Sequence, residues 1–115
     1  MEEIHLTFKK IINRELASEI IYEDDKVIAI MDKFPYNPGH FLVITKNHSV
    51  NLKDSKTDDM TYAFAKAVEL ANIRRKEGHF EDFKVVVNNG RDAGQVIDHL
   101  HIHIIPFYPK DKKEK

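Results

Sequence analysis

Residues Asp98 to Pro106 read DHLHIHIIP and are the most informative segment of the sequence. A histidine alternates there with a large aliphatic residue, so that His99, His101 and His103 are interleaved with Leu100, Ile102 and Ile104. Successive side chains of a β-strand point to opposite faces. The alternation therefore predicts a strand with its aliphatic residues packed on one side and its histidines presented on the other. Folding does not require a row of imidazoles, so the histidine face indicates a functional site.

Two helices and four further strands are predicted around this strand. The longer helix is predicted from apolar residues at helical spacing. Two Asp lie in its first turn, three basic residues lie in its last turn, and Gly78 follows its end. From the N-terminus the predicted elements are a helix with Thr7 as N-cap that ends before Ser18, a hairpin over 19–31 with Asp24-Asp25 in its turn, a loop over 32–39 and a strand over 40–45. A helix over 57–77 follows, with Thr57 as cap and an apolar stripe that comprises Met60, Ala63, Phe64, Ala67, Val68 and Ala71. The remaining elements are a strand over 83–88, a turn over 89–94 and a strand over 96–107. This order predicts an α+β domain over residues 1–109, with the helices on one face of a mostly antiparallel five-stranded sheet, and a disordered lysine-rich tail over 110–115.

Composition excludes several classes of protein. Eighteen Lys and Arg residues against nineteen Asp and Glu give a formal net charge of -1, so binding to a nucleic-acid polymer is not expected. The absence of cysteine excludes disulfides, thiolate catalysis and Cys-ligated metal sites. The N-terminus does not resemble a signal peptide, and no apolar run reaches the roughly 20 residues of a membrane-spanning helix. The expected location is the cytoplasm.

The histidine row suits either a metal or an anion. Two imidazoles at positions i and i+2 lie about 6.6 Å apart along a strand and can share one zinc ion, whereas His99 and His103 lie about 13 Å apart. A two-histidine metal site would need further ligands, for which His40, His48 and Asp32 are candidates. An elongated anion such as a phosphoanhydride fits the row better, since one neutral histidine attacks phosphorus while its neighbours donate hydrogen bonds.

The segment 99–105, HLHIHII, resembles the His-x-His-x-His-x-x signature, with x hydrophobic, of the histidine triad superfamily of nucleotide hydrolases and transferases. Further segments resemble the family in order and in approximate spacing, and they are YEDD (22–25), AIMD (29–32), PGHFLVI (38–44), KNH (46–48), VVNNG (86–90) and GQ (94–95). The resemblance covers about residues 10 to 107. It implies the histidine-triad fold, with the sheet continued across a homodimer, and it favours the nucleotide-binding branch of purine nucleoside phosphoramidases.

The resemblance also implies roles for four histidines. His101 matches the nucleophile, which attacks the α-phosphate of a purine nucleotide to give a covalent nucleotidyl-histidine that water then hydrolyses. His103 matches the residue that hydrogen-bonds a phosphate oxygen. His99, packed towards His40, is expected to hold the tautomer and the proton inventory of His101. His101, His99, His103 and His40 are therefore the expected catalytic residues.

Four further positions match residues that bind the nucleotide. Asp32 matches an acid that accepts hydrogen bonds from both ribose hydroxyls, although an Asp before Phe-Pro is also a common turn cap. Asn88 and Gln95 match residues that bind ribose or phosphate, and Gly94 would let the backbone approach the phosphate; Asn88 is equally explained as part of a turn. Four apolar residues are either core residues or contacts to the base, and they are Phe8, Ile11, Ile28 and Phe41.

The chain departs from the family pattern at two places. Leu6 and Lys9 stand where many bacterial members carry a zinc-binding Cys pair, while His48 and His99 resemble the two other zinc ligands. No metal and no organic cofactor are therefore expected. Val96 stands where the phosphoramidases usually have Ser, which removes a hydroxyl near the phosphate or leaving group. The expected ligands are AMP, GMP or their phosphoramidates; a dinucleoside polyphosphate hydrolase and a nucleotide-binding interaction module are the alternatives.

Overall fold

The computed structural model describes residues 6–109 and contains two helices and five strands. The elements are α1 (Thr7–Ile12), β1 (Ile20–Glu23), β2 (Val27–Met31), β3 (Phe41–Thr45), α2 (Thr57–Lys76), β4 (Asp82–Val86), a 3-10 turn (Arg91–Ala93) and β5 (His101–Phe107). The tail predicted over 110–115 lies outside the described residues. No helix between residues 6 and 109 is both long enough and apolar enough to span a bilayer.

The five strands form one sheet in the order β1-β2-β3-β5-β4, and every neighbouring pair is antiparallel. The α+β prediction is confirmed. The prediction that both helices lie on one face is wrong, because alternate residues of β2 and β3 pack against different helices. Val27, Ala29 and Val43 share a core with α2. Residues of the opposite parity share a core with α1, and they are Ile28, Ile30, Leu42 and Ile44.

The face of α2 that contacts the sheet is rich in alanine. Ala63, Ala67 and Ala71 are fully buried, which allows the helix backbone to approach the sheet closely. The predicted stripe is corrected at two positions, since Val68 is 40% exposed and Leu70 is buried instead. The helix begins at Thr57 itself, after Lys56 as N-cap, and ends before Gly78, whose φ of +90° is a left-handed conformation that glycine adopts without strain.

The first and last elements are shorter than predicted. Thr7 is the first residue of α1 rather than its cap, and the helix ends at Ile12 because Arg14 turns the chain with a φ of +66°. Such a conformation is uncommon for a residue other than glycine, so no sequence signal marks this end. β5 begins at His101 and not at Val96, because the backbone of the preceding residues bonds to loops; the Leu100 amide, for example, donates to the Ser49 carbonyl.

Candidate active site

An open cavity of about 470 Å³ lies on the face of the sheet that α1 covers. This volume is within the usual range for small-molecule sites. Apolar side chains form one wall, and they include Phe8, Ile11, Leu16, Ile30, Leu42 and Ile97. The polar groups converge from three elements of the chain, and they include Asp32, Lys33, Asn88, His101 and His103. An apolar wall facing a few polar groups suits a ligand with a flat base and a charged end.

The register of β5 places two histidines side by side in the cavity. His101 lies opposite Ile44 and His103 opposite Leu42, both of which belong to the face that α1 covers. The His101 and His103 ring centroids are 4.9 Å apart, and the Phe8 ring packs edge-on against His101, also at 4.9 Å. Ile102 and Ile104 are fully buried on the α2 face. The predicted alternation therefore holds along the strand as observed.

The main chain fixes the tautomer of His101. Its Nδ1 lies 2.7 Å from the carbonyl oxygen of His99, which only accepts hydrogen bonds. In the neutral ring Nδ1 therefore carries the proton, and Nε2 keeps its lone pair. His99 thus holds the tautomer of His101 through its backbone carbonyl rather than through its ring, whose Nε2 bonds to the Thr45 carbonyl.

His103 has the opposite polarity because of two hydrogen bonds in series. The backbone amide of Tyr36 donates to His40 Nδ1 at 3.0 Å, so the proton of neutral His40 is on Nε2. His40 Nε2 is 2.9 Å from His103 Nδ1, which must accept that proton's hydrogen bond. His103 therefore carries its own proton on Nε2. The two neighbouring histidines consequently offer one nucleophilic nitrogen, in His101, and one N–H donor, in His103.

Burial keeps these imidazoles neutral. The pKa of His103 falls to about 4, mainly because of burial; the neighbouring His101 and His40 also lower it, and Asp32 raises it by a smaller amount. Burial also lowers the pKa of His101. The hydrogen bond to the His99 carbonyl and the charge of Asp32 raise this pKa, but they offset only part of the effect of burial. The pKa of His40 is likewise lowered by burial and partly restored by Asp32. At neutral pH the lone pair of His101 Nε2 is therefore available.

Asp32 follows β2 directly and is three-quarters or more buried at the cavity wall. Its Oδ1 accepts a hydrogen bond from the Phe34 amide at 2.9 Å, and its Oδ2 lies 3.3 Å from His40 Nε2. A carboxylate has about four acceptor positions, so about two remain for a ligand. The turn-cap explanation and the ligand explanation are thus compatible, because the cap uses one oxygen lone pair.

The loop before β5 contributes Asn88, Gly94 and Val96 to the cavity. The Asn88 side chain has no hydrogen-bond partner among residues 6–109 and is free for a ligand. Gly94 has a φ of +92° with open space where a Cβ would be, so backbone conformation rather than close contact requires glycine here. Val96 is 64% exposed at the cavity wall.

Gln95 does not line this cavity. Its carbonyl oxygen accepts from Asn51 Nδ2 and from the Gly90 amide, and its amide nitrogen donates to the carbonyls of Val50 and Ile97. The side chain is buried, and these four bonds use its hydrogen-bonding capacity. The geometry gives no support to direct contact between Gln95 and a nucleotide. The side chain instead connects the loop around residue 50 to the loop that carries Asn88 and Gly94.

His99 is remote from His40, which corrects the prediction that the two rings pack together. Because β3 and β5 run antiparallel, His40 lies beside His103 and His99 lies beside Thr45, whose carbonyl is 2.7 Å from His99 Nε2. The His99 ring is buried between Phe8 and His48, with ring centroids at 5.9 and 4.8 Å. Burial lowers its pKa to about 4.

The residues around His99 do not fit the zinc site of the family. His99 Nδ1 is buried without a hydrogen-bond partner in the described part of the chain. His48 Nε2 already bonds to the Asp98 carbonyl at 3.0 Å. Tetrahedral zinc needs four donors, whereas Leu6 offers none and Lys9 is a cation that further lowers the His99 pKa.

A second group of metal-ligand atoms comprises Asp32, His40 and His103, with one ligand atom of each within 4.8 Å of the others. The Tyr36 amide opposes metal binding here. It donates to His40 Nδ1, so His40 Nε2 is protonated and has no lone pair for a metal. Coordination by His40 Nε2 would move the proton to Nδ1, where it would face another donor. The arrangement fits a hydrogen-bond network better than a metal site.

The sequence pattern missed two parts of the site. The Tyr36 amide and the segment Leu16, Ala17 and Ser18 contribute through tertiary contacts that no motif marks. Two of the four apolar candidates, Phe8 and Ile11, line the cavity, whereas Ile28 is buried in the core beneath it. Phe41 lies on the opposite face, in the core with α2, and cannot contact a base. Phe41 and Leu42 are neighbours on β3, so their side chains point to opposite faces, and this alternation could have excluded Phe41 as a contact to the base.

Known proteins have similar sequences and folds. The HIT domain matches residues 13–110. An HIT-like protein of Mesomycoplasma hyorhinis is 48% identical over 103 residues, which are 90% of this chain and 93% of that protein. The crystal structure of a hypothetical histidine triad nucleotide-binding protein from Sulfolobus tokodaii is 45% identical, with a TM-score of 0.81, and the match covers 89% of this chain and 68% of that one.

An adenylylsulfatase of Arabidopsis thaliana is 38% identical over 104 residues, which are 90% of this chain and 53% of that protein. A family domain that matches residues 13–110 and a relative of nearly the same length establish kinship as well as a shared fold. The chain belongs to the histidine triad family of nucleotide-binding hydrolases and transferases.

Proposed function

We propose that the protein hydrolyses the phosphorus–nitrogen bond of purine nucleoside 5'-phosphoramidates, releasing AMP or GMP and an amine, without a metal or organic cofactor. The observation that carries the proposal is the opposite polarity of two adjacent rings. His101 Nε2 has a free lone pair because Nδ1 bonds to the His99 carbonyl, and His103 Nε2 carries a proton because Nδ1 accepts from His40. This pair supplies a nucleophile and an N–H donor 4.9 Å apart by ring centroid.

The reaction then proceeds in two displacements at phosphorus. His101 Nε2 forms a bond to the α-phosphorus while the bond to the amine breaks, and the departing nitrogen takes up a proton from solvent in the open cavity. His103 Nε2–H donates to a phosphate oxygen, whose charge grows in the transition state. Water then attacks phosphorus, the bond to His101 breaks, and a proton returns to solvent. The depressed pKa of His101 keeps the ring neutral and nucleophilic for the first step.

The proposed orientation of the nucleotide follows from the polar groups of the cavity. The two acceptor positions left on Asp32 match the two hydroxyls of a ribose, and Asn88 offers its free amide to ribose or phosphate. The base would lie against the apolar wall that includes Phe8 and Ile11. Gln95 supports this arrangement by holding the loop, and Val96 would contact the leaving group, where a hydroxyl is absent.

We further propose a homodimer in which edge strands extend the sheet. β4 is an edge of the sheet, and Val85 on it is 40% exposed. On the neighbouring α2, Val68 and Ile73 are 40% and 44% exposed. An unpaired edge beside apolar side chains favours pairing with a second copy. Sedimentation at micromolar concentration tests this state, with a mass of one chain as the contrary result. The cytoplasmic location stays a prediction.

The test compares three substrates in parallel, namely an adenosine phosphoramidate, adenylyl sulfate and a dinucleoside polyphosphate. The phosphoramidate should be hydrolysed fastest, and rapid quenching with mass spectrometry should detect a nucleotidyl adduct on the peptide that contains His101. His101→Gly should bind nucleotide and form no adduct, whereas His79→Ala, a control on an exposed loop histidine, should behave as wild type. Faster cleavage of the polyphosphate indicates the alternative hydrolase. Binding of nucleotide without turnover of any of the three substrates by wild type indicates an interaction module, and equal turnover by His101→Gly and wild type removes His101 as the nucleophile.

A further inference from the structure

Asp32 has a second contact that the binding of a sugar does not explain. Its Oδ2 is 3.3 Å from His40 Nε2, the same nitrogen that is 2.9 Å from His103 Nδ1. The His40 N–H therefore donates to His103 Nδ1 within reach of the Asp32 charge, which attracts the same proton. The His40 side chain is 6% exposed and is held from the other side by the Tyr36 amide, so it cannot turn away from either of them.

We propose that Asp32 is a positioning residue for His103, acting through His40, so that the carboxylate that holds the sugar also sets the strength of His103 as a hydrogen-bond donor. This inference rests on the proposed function and adds a coupling to it. A nucleotide whose sugar binds Asp32 would therefore also strengthen the His103 N–H donor at the phosphate site.

The direction of the coupling follows from the shared proton. In the free protein the His40 N–H donates to His103 Nδ1, while the negative charge of Asp32 Oδ2, 3.3 Å from His40 Nε2, attracts the same proton and weakens that bond. When ribose hydroxyls donate to Asp32, its charge is partly satisfied, and the His40 proton shifts towards His103. An imidazole that accepts a stronger hydrogen bond at one nitrogen becomes a better donor at the other. His103 Nε2–H then stabilises the phosphate oxygen more strongly, so a correct sugar accelerates chemistry as well as binding.

The charges around His103 determine the pH dependence of this network. The titratable groups that act on the ring are Asp32 at the end of β2, His40 before β3 and His101 on β5. Among these, Asp32 is the group that raises the pKa of His103, and it also raises those of His40 and His101. Its neutralisation should therefore move the protonation of the histidines to lower pH, whether or not a sugar is present.

The experiment separates sugar contact from positioning by using a substrate without the hydroxyls. Wild type, Asp32→Asn and the control Asp25→Asn are assayed on adenosine phosphoramidate and on its 2',3'-dideoxy analogue. Asp25 is an exposed carboxylate in the turn at the opposite end of β2, so it controls for net charge. If Asp32 only holds the sugar, Asp32→Asn has no effect on the dideoxy substrate.

We expect Asp32→Asn to raise kcat on the dideoxy substrate severalfold, with little change in KM, because the His40 proton then no longer faces a carboxylate and donates more strongly to His103. The acid limb of its kcat profile should move to lower pH, and Asp25→Asn should match wild type. Equal kcat values and pH profiles for Asp32→Asn and wild type on the dideoxy substrate would overturn the proposal.

A measurement without turnover distinguishes this proposal from the proposed function. Histidine ring ¹⁵N shifts are recorded for wild type alone, with AMP and with 2',3'-dideoxy-AMP. AMP should shift His40 Nε2 and His103 Nδ1 more than the dideoxy nucleotide does. If these shifts occur while the phosphoramidate is not hydrolysed, the proposed function fails and the coupling stands. If both nucleotides give the same shifts at these nitrogens, the coupling is wrong.

Discussion

Acidification should unfold this protein through its buried histidines. The pKa values of His99 and His103 fall from the ordinary value near 6.5 to about 4, with burial as the main cause. The unfolded chain takes up protons on these rings below pH 6.5, whereas the folded chain resists protonation until about pH 4. The stability that these rings contribute is therefore complete above pH 6.5 and is lost as the pH falls to 4.

The size of the effect follows from the linkage relation. A pKa lowered from 6.5 to about 4 corresponds to roughly 3 kcal/mol for each ring. The two rings together approach the 5–15 kcal/mol of total stability that is common for a domain. The carboxylate of Asp24 also has a lowered pKa, but it responds only near and below its ordinary value of 3.8. The window between pH 6.5 and 4.5 thus reports mainly on histidines.

Urea unfolding followed by circular dichroism at a series of pH values measures this dependence. Wild type should lose most of the two-histidine contribution between pH 6.5 and 4.5. His99→Gln, which cannot titrate, should lose about 2 kcal/mol less over the same range, even if it is less stable at pH 7. The control His79→Gln changes an exposed ring and should keep the wild-type slope. A stability that is flat in this window, or equal slopes for His99→Gln and wild type, would refute the burial argument.

Three further predictions concern other parts of the molecule. Ile102→Ala, in the α2 core, should lower the free energy of unfolding by about 2–5 kcal/mol in urea titrations, while Val85→Ala on the exposed edge should have little effect; equal losses would contradict the assigned faces. Calorimetry should show tighter binding of AMP than of dAMP, and equal affinities would remove Asp32 from the sugar site. Elemental analysis of purified protein should find no stoichiometric zinc, and chelators should leave its circular dichroism unchanged, whereas one zinc per chain would show that His48 and His99 have acquired other ligands.

Much of the fold was predictable because the spacing of apolar residues along the sequence decides which side of a helix or strand is buried. The alternation through Ile102 and Ile104 predicted β5 and its two faces, and Gly78 marked the end of α2. The placement of α1 was not predictable in this way. Its helix ends at a left-handed Arg14, and its position under the sheet depends on Phe8 and Ile11 meeting the opposite parity of β2 and β3.

The residues of the candidate site were predictable from the sequence, whereas their hydrogen bonds were not. Residue types and spacing brought His101, His103, Asp32 and Asn88 into one prediction, and the structure brings all four to one cavity. Proton positions were not predictable, since they depend on backbone groups that tertiary structure delivers. The carbonyl of His99 fixes one ring, and a loop amide fixes His40 and thereby His103. The role of Gln95 stays a prediction, and its bonds to two loops were not predictable because spacing cannot tell a polar side chain that faces a ligand from one that joins two loops.

The two-faced strand β5 makes the site a reporter of correct strand pairing. A slip of one residue against β3 would turn His101 and His103 into the alanine-lined core under α2 and would expose Ile102 and Ile104 to the cavity. Burying two imidazoles without partners is costly, so a misaligned sheet is both unstable and without a nucleophile. A preparation of this protein should therefore contain no partly active conformers. The fraction of chains that form an adduct in a single turnover should equal the fraction that is natively folded.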